Sequence, residues 1–277
     1  MIKLGKTNKL KVLNVDGDLI SFDAEEFGQI NVTNNDFVLK YNVGDTVNVF
    51  LYPEADVVKG FIGTPYVELN EFANLEVIAK TKIGDFFDWG IDKDLFCPFK
   101  EQKSDLLLNH HYLVFVYLDE STNRIAASTK IGKFFCDEKP EFAEGEEVAI
   151  IIINKSQIGY NAIVENKFKG LLYDNEVFSE LESGQKLKAI VKKVREDNKI
   201  DIRLFKNNHE DIERFEKQIL NYLKSHGGEM NITDESSPET IYDAFGFSKK
   251  NFKKALGALY RKGIVDLKGK TIKLLKN

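Results

Sequence analysis

Thr81-Lys82-Ile83-Gly84-Asp85-Phe86 returns further along the chain as Ser156-Gln157-Ile158-Gly159-Tyr160, and Asn123-Arg124-Ile125-Ala126 returns as Asn198-Lys199-Ile200-Asp201. Both returns have the same spacing of 75 residues, Gly84 to Gly159 and Asn123 to Asn198, and two independent anchors at one offset mark a structural repeat. Between the anchors, His110-His111-Tyr112-Leu113-Val114-Phe115-Val116 aligns, one residue out of phase, with Gly184-Gln185-Lys186-Leu187-Lys188-Ala189-Ile190. Both stretches alternate apolar and polar residues after a polar turn, as a half-buried strand does. A weaker, earlier copy opens at Gly44-Asp45-Thr46-Val47-Asn48-Val49-Phe50 and closes near Lys59-Gly60-Phe61-Ile62-Gly63.

Each copy contains about five short runs rich in Val, Ile, Phe and Tyr, bounded by Gly, Asn and Asp, with no sustained helical period. A glycine at the bend of a strongly curved early strand suits a five-stranded OB barrel, in which closure removes exposed sheet edges. A two-sheet sandwich is the alternative, but an immunoglobulin-like one takes about seven strands and a longer unit.

Beyond Phe205 the period becomes helical. Ile212, Phe215, Ile219, Leu220 and Leu223 recur at three- and four-residue steps until Gly227-Gly228. Ser237-Pro238-Glu239 supplies a cap, a first-turn proline and an acidic first turn for a second helix that Gly246 stops. Ser248 caps a third, whose apolar stripe is Phe252, Ala255, Leu256 and Leu259. Ile264-Val265-Asp266-Leu267 and Lys270-Thr271-Ile272-Lys273-Leu274, joined at Lys268-Gly269, read as a two-stranded wing. The expected architecture is therefore mainly β with a C-terminal α+β domain: three tandem five-stranded OB barrels (1–68, 71–136 and 145–205) followed by a winged helix-turn-helix (208–277).

Composition narrows the function. With 43% hydrophobic residues in a 277-residue chain, a packed core is affordable and disorder is excluded. Two distant cysteines, Cys97 and Cys136, and an N-terminus without an apolar run point to a reducing cytoplasm. The longest apolar runs, such as 148–153, are too short to span a bilayer, so no membrane partner is expected. The formal net charge of −5 hides a gradient, acidic through the first two copies and basic towards the C-terminus. The last thirty residues hold ten Lys or Arg and one acid, Asp266, a local field suited to a polyanion.

No catalytic constellation emerges. His110 and His111 are adjacent, His209 and His226 isolated, neither cysteine has metal-site spacing, and the acids do not cluster. A non-enzymatic protein with no metal and no cofactor is the expectation, with Cys97 a packed strand residue between Phe96 and Pro98. Binding chemistry is better served. Rings on alternate strand positions can stack unpaired bases, each stack worth about 1–3 kcal/mol, while neighbouring cations hold the backbone. The rings are Phe86 and Phe96 in the second copy and Tyr160, Phe168 and Tyr173 in the third, interleaved with Lys167 and Lys169 and backed by Lys188, Lys192, Lys193 and Arg195. Strand aromatics also serve as core, so exposure decides between the two roles. Lys249, Lys250, Lys253, Lys254, Lys268 and Lys270 would contact phosphates from the third helix and the wing; lysines position a duplex without reading its sequence. Duplex DNA at the winged helix is thus a second expected partner, and a protein-interaction scaffold a third reading.

The stretch Ile83 to Gly90, the run Lys93 to Gln102, Ile158-Gly159-Tyr160 and Phe168-Lys169-Gly170-Leu171-Leu172-Tyr173 together resemble the bacterial conserved virulence factor B family. The resemblance covers almost the whole chain and implies three S-one-type OB domains and a C-terminal winged helix. It also implies single-stranded RNA as the partner and an effect on gene expression at the RNA level, with RNA-facing positions at Phe86, Phe96, Tyr160, Phe168 and Tyr173. The first copy departs most, being acidic and poor in rings at Ile20-Ser21-Phe22-Asp23 and Gly28-Gln29-Ile30.

Overall fold

Strands dominate to Arg203 and helices thereafter, where the hydrophobic period changes from two to 3.6. The computed structural model describes the chain except residues 35–39, 175–176, 178–179, 206–208, 268–270 and 276–277, and the side chains of 209–211. Residue contacts divide it into two compact units. One is Met1–Asp137 with Asn166–Phe168 and Leu181–Gln185; the other is Glu138–Glu165, Lys169–Glu180 and Lys186–Asn277.

In the first unit, β1 (Lys6–Asp16), β2 (Leu19–Asp23), β3 (Gln29–Thr33), β4 (Thr46–Glu54) and β5 (Val57–Ile62) form the first segment. The second segment comprises β6 (Phe72–Lys80), β7 (Gly84–Phe87), β8 (Leu95–Pro98), β9 (His111–Asp119) and β10 (Arg124–Ser128). They form one ten-stranded sheet, ordered β3-β2-β1-β4-β10-β9-β6-β7-β8, with β5 on β4. A single bridge, Arg124 opposite Glu54, joins the halves. Beneath it one apolar cluster is shared: Phe50 and Tyr52 of the first segment pack with Val67, Trp89, Leu95, Val114 and Val116. Phe50 meets Trp89 edge to face at 5.4 Å, and the Trp89 indole N–H donates to the Val67 carbonyl at 2.8 Å, so the buried ring leaves no polar atom unpaired.

The third segment closes on itself. β11 (Glu147–Ser156), β12 (Gly159–Val164), β13 (Phe168–Tyr173), β14 (Lys186–Val194) and β15 (Ile200–Arg203) make a barrel in the order β11-β12-β13-β15-β14, with β13 parallel to β15. Of the three closed barrels expected, the hydrogen-bonded ladder closes, among the described residues, only here; the first two segments are instead joined into one sheet where β4 meets β10.

The bend expected at the repeat glycine lies elsewhere. It is a β-bulge, between Val12 and Asn14 in β1, Val77 and Ala79 in β6, and Ile152 and Asn154 in β11, the last two again 75 residues apart. The glycines instead permit close approach. A Cβ on Gly84 would overlap the Cys97 carbonyl oxygen, and one on Gly159 the Leu172 carbonyl oxygen, which is the equivalent atom of the repeat. Gly159 also holds φ +147°, a conformation that side chains disfavour.

The C-terminal region is a winged helix: α1 (His209–Ser225), β16 (Glu229–Met230), α2 (Pro238–Phe245), α3 (Lys249–Arg261), β17 (Val265–Asp266) and β18 (Ile272–Leu274). The caps are those the sequence implies. Ser237 Oγ accepts from the Thr240 N–H, Ser248 Oγ from the Asn251 N–H, and Gly246 ends α2 in the left-handed conformation. Phe215, Ile219, Leu223, Phe252, Ala255, Leu256 and Leu259 fill its core. β16 was not foreseen; it pairs with β18 and makes the wing three-stranded. The expected turn at 268–269 lies outside the described residues. Within the second unit the winged helix docks on the barrel. Arg214 of α1 donates to the Gly145 carbonyl at 2.9 Å, Gln218 to Glu147 Oε2 at 3.0 Å, and the Tyr242 hydroxyl of α2 to the Lys186 carbonyl at 2.5 Å.

Candidate nucleic-acid interface

Phe86 on β7 and Phe96 on β8 face each other across the antiparallel pair, ring centroids 5.1 Å apart and tilted by 44°. Both are half-buried, so part of each ring meets solvent. Their neighbours Asp85 and Cys97 alternate inward and are buried. The Asp85 carboxylate takes a hydrogen bond from Gln102 at 3.1 Å and faces the Lys80 ammonium at 3.5 Å. Burial pushes the Cys97 thiol up to about 12, which leaves it protonated and a poor nucleophile.

A second ring cluster on this segment escaped the sequence reading. Phe115 stacks on Phe134 at 4.2 Å, and Tyr117 on Phe134 at 5.6 Å. Lys133 Nζ stands 4.9 Å from the Phe134 centroid and 5.8 Å from that of Tyr117, while bonding Glu101 Oε2 at 2.6 Å. Burial alone would raise the Glu101 carboxyl. Hydrogen bonds from Lys133 and Ser128 and the charges of Lys133 and Lys130 outweigh it and hold the group below the usual carboxylate value. The signal in the sequence was Lys133-Phe134-Phe135, which no repeat position flagged.

In the third segment the rings differ in exposure. Tyr160 and Phe168 are only 3% and 8% exposed, which corrects the expectation that both lie open for stacking. Tyr160 follows Gly159, where β12 lies close against β13; Lys155 Nζ covers its ring at 5.7 Å from the centroid. Lys167 Nζ lies 5.1 Å from the Phe168 centroid. Position 85 of the second segment holds an aspartate where position 160 of the third holds a tyrosine, so the Lys80–Asp85 ion pair and the Lys155–Tyr160 cation–π contact are equivalents.

Tyr173 is the half-buried ring of this segment. Its hydroxyl donates to Asp201 Oδ1 at 3.3 Å, and Lys192 Nζ stands 5.9 Å from its centroid. The register of β14 against β15 shifts between Val191 and Lys193, so Lys192 is the extra residue of a bulge, a device that re-aims a side chain. Arg195 approaches Asp201 at 3.9 Å and pairs with Asp197 at 3.1 Å. A groove of about 650 Å³ opens beside this cluster, lined by Ile190, Val191, Lys192, Lys193, Asp201 and Arg203 with Glu144 and Gly145. Lys169 and Lys193 are exposed on the same barrel. Lys188 serves the framework instead, paired with Glu147 at 3.0 Å.

On the winged helix, Lys250, Lys253 and Lys254 are exposed on α3. Lys253 lies 3.7 Å from Asp234, and Lys249 reaches the Glu235 carbonyl at 3.4 Å. Lys268 and Lys270 lie outside the described residues. Among the described residues, no three His, Cys, Asp or Glu side chains converge as metal ligands, and no helix is long and apolar enough to cross a membrane.

Fold and site together define a mainly β chain of repeated small segments that carry ring-and-cation clusters and end in a winged helix. Residues 217–274 match the family model of the CvfB-like winged helix domain. The chain is similar to conserved virulence factor B of Staphylococcus epidermidis, 21% identical over 268 residues, covering 92% of this chain and 87% of that protein. It is also similar to the uncharacterized protein YitL of Bacillus subtilis, 26% identical over 278 residues, covering 89% and 88%. A solved multidomain protein with nucleic acid binding domains from Streptococcus pneumoniae aligns over 98% of both chains at 22% identity, with a TM-score of 0.40. The resemblance to the conserved virulence factor B family read from the sequence is supported by these relatives over nearly the whole chain.

Proposed function

We propose that this chain is a non-catalytic, cytoplasmic RNA-binding protein that engages single-stranded RNA by ring stacking and backbone contacts and acts on gene expression after transcription. Its first three segments are read as OB domains, two of them merged through one sheet. The observation that carries the reading is the third-segment cluster. Tyr173, half-buried, lies under a bulged Lys192 and beside a groove bearing Lys193 and Arg203, an arrangement that supports base stacking and phosphate contact at one place. The half-exposed Phe86–Phe96 pair offers a second stacking surface.

A second reading, duplex DNA binding led by the winged helix, is supported by the exposed Lys250, Lys253 and Lys254 on α3, the element that enters the major groove in helix-turn-helix proteins. Titration of matched single-stranded RNA, single-stranded DNA and duplex DNA at several salt concentrations separates the readings. Preference for RNA, weakened by Tyr173→Ala at unchanged thermal stability, supports the first; preference for duplex supports the second; absence of binding removes both.

A further inference from the structure

The hairpins that open the second and third segments carry the same side chain at their tips. Ile83 is 69% exposed and Ile158 56%, at equivalent positions of the repeat. A lone surface isoleucine needs no explanation. Two at one repeat position, each on a turn fastened in the same way, do: the Thr81 hydroxyl donates to the Gly84 carbonyl at 2.6 Å, and the Ser156 hydroxyl to the Gly159 carbonyl at 2.8 Å. The β1–β2 hairpin of the first segment likewise leaves Leu19 exposed beside its turn.

Each tip turn lies against the strand that carries a ring. Gly84, next to Ile83, lies so close to β8 that a Cβ would stand 2.6 Å from Phe96 Cε2. The Ile158 carbonyl accepts from the Asp174 N–H at 3.3 Å, next to Tyr173, and a Cβ on Gly159 would stand 2.8 Å from Tyr173 Cα. Cations flank both tips in sequence, Lys80 and Lys82 in the second segment and Lys155 in the third.

We propose that Ile83 and Ile158 are base-contacting residues, each packing against the outer edge of a nucleobase laid on the neighbouring ring. The inference rests on the single-stranded RNA reading. A flat heteroaromatic that bears a phosphate satisfies ring, aliphatic tip and lysines together. The tip adds an exposed apolar side chain beside the strand that carries the ring, and the fastened turn presents it at little ordering cost. The hydroxyl and the glycine that hold the turn are untouched by a change at the tip, so the contribution can be removed without altering the hairpin.

The test is fluorescence anisotropy with a labelled single-stranded oligoadenylate of about 12 nucleotides, within the span that OB folds cover. The double variant I83S/I158S is expected to bind about tenfold or more weakly, the affinity lost when two partly buried isoleucines no longer meet a base. Its salt slope and thermal midpoint should match the wild type, because neither charge nor packing has changed. The variant I83L/I158L should bind as the wild type does. Unchanged affinity for the serine variant overturns the proposal, as does weakening accompanied by a lower midpoint or a shallower slope. Wild-type protein that fails to bind the probe refutes the RNA reading itself, an outcome distinct from a wild type that binds while its tips prove indifferent.

Discussion

Replacing Gly84 by alanine tests the close crossing of β7 and β8 on which the second segment's ring pair depends. The added Cβ would overlap the Cys97 carbonyl oxygen and stand 2.8 Å from Pro98 Cα and 2.6 Å from Phe96 Cε2. Two of these neighbours are backbone, so relief requires the strands to part. Overpacking of this kind costs about 1–3 kcal/mol, and the upper end applies where backbone must yield. The chain has a single tryptophan, Trp89, buried in the same unit, so its fluorescence reports that unit's unfolding in urea. With a urea dependence of about 2 kcal/mol per molar, a loss of about 3 kcal/mol lowers the midpoint by about 1.5 M. Gly132→Ala is the control within the unit: nothing lies within 4 Å of its Cβ position and its φ is not positive, so its midpoint should stay near that of the wild type. Equal midpoints for the two variants would refute the crossing and, with it, the equivalence of Gly84 and Gly159.

Three further outcomes follow from the site. Because the Glu101 carboxyl is held below its ordinary value, it contributes stability above the unfolded carboxyl value of about 4.3 that is lost as pH falls through the folded one. Glu101→Gln should therefore flatten the acid limb of a midpoint-against-pH curve below about pH 4.5, and an unchanged limb would remove the Lys133 contact as the cause. Substituting Lys250, Lys253 and Lys254 together by alanine should reduce the slope of log affinity against log salt by up to about 3 if α3 contacts phosphates; an unaltered slope excludes that helix from the bound surface. Cys97, buried with its thiol raised to about 12, should react with a disulfide reagent only as the first unit unfolds, and rapid labelling in native buffer, mapped by mass spectrometry, would contradict that burial.

The 75-residue repeat, open to reading without coordinates, aligns the glycines of the second and third segments, whereas the bulges that recur at the same offset came only with the structure. Ring exposure was not. Tyr160 and Phe168 occupy strand positions as suitable as Tyr173, yet the first two are buried and the third is half-open. Strand alternation assigns a face to a side chain, whereas a bulge shifts that alternation by one and a lysine from a neighbouring strand can cover the face that remains. The Phe134–Tyr117–Lys133 cluster was missed because its members come from a strand and from a short helical turn after the next one, a juxtaposition without sequence periodicity.

The amino-acid order alone determined where strands give way to helices, which residues cap and stop α2 and α3, and that two segments share one plan. These are local matters, set by backbone conformational preference and by the period of apolar residues within a few neighbours. Only the folded chain decided that the first two segments merge through the Arg124–Glu54 bridge while the third closes, and that α1 and α2 dock on that barrel. Which strand edges pair, and which buried side chains share a core, depends on contacts between residues far apart in sequence, and such contacts form only when the elements are brought together.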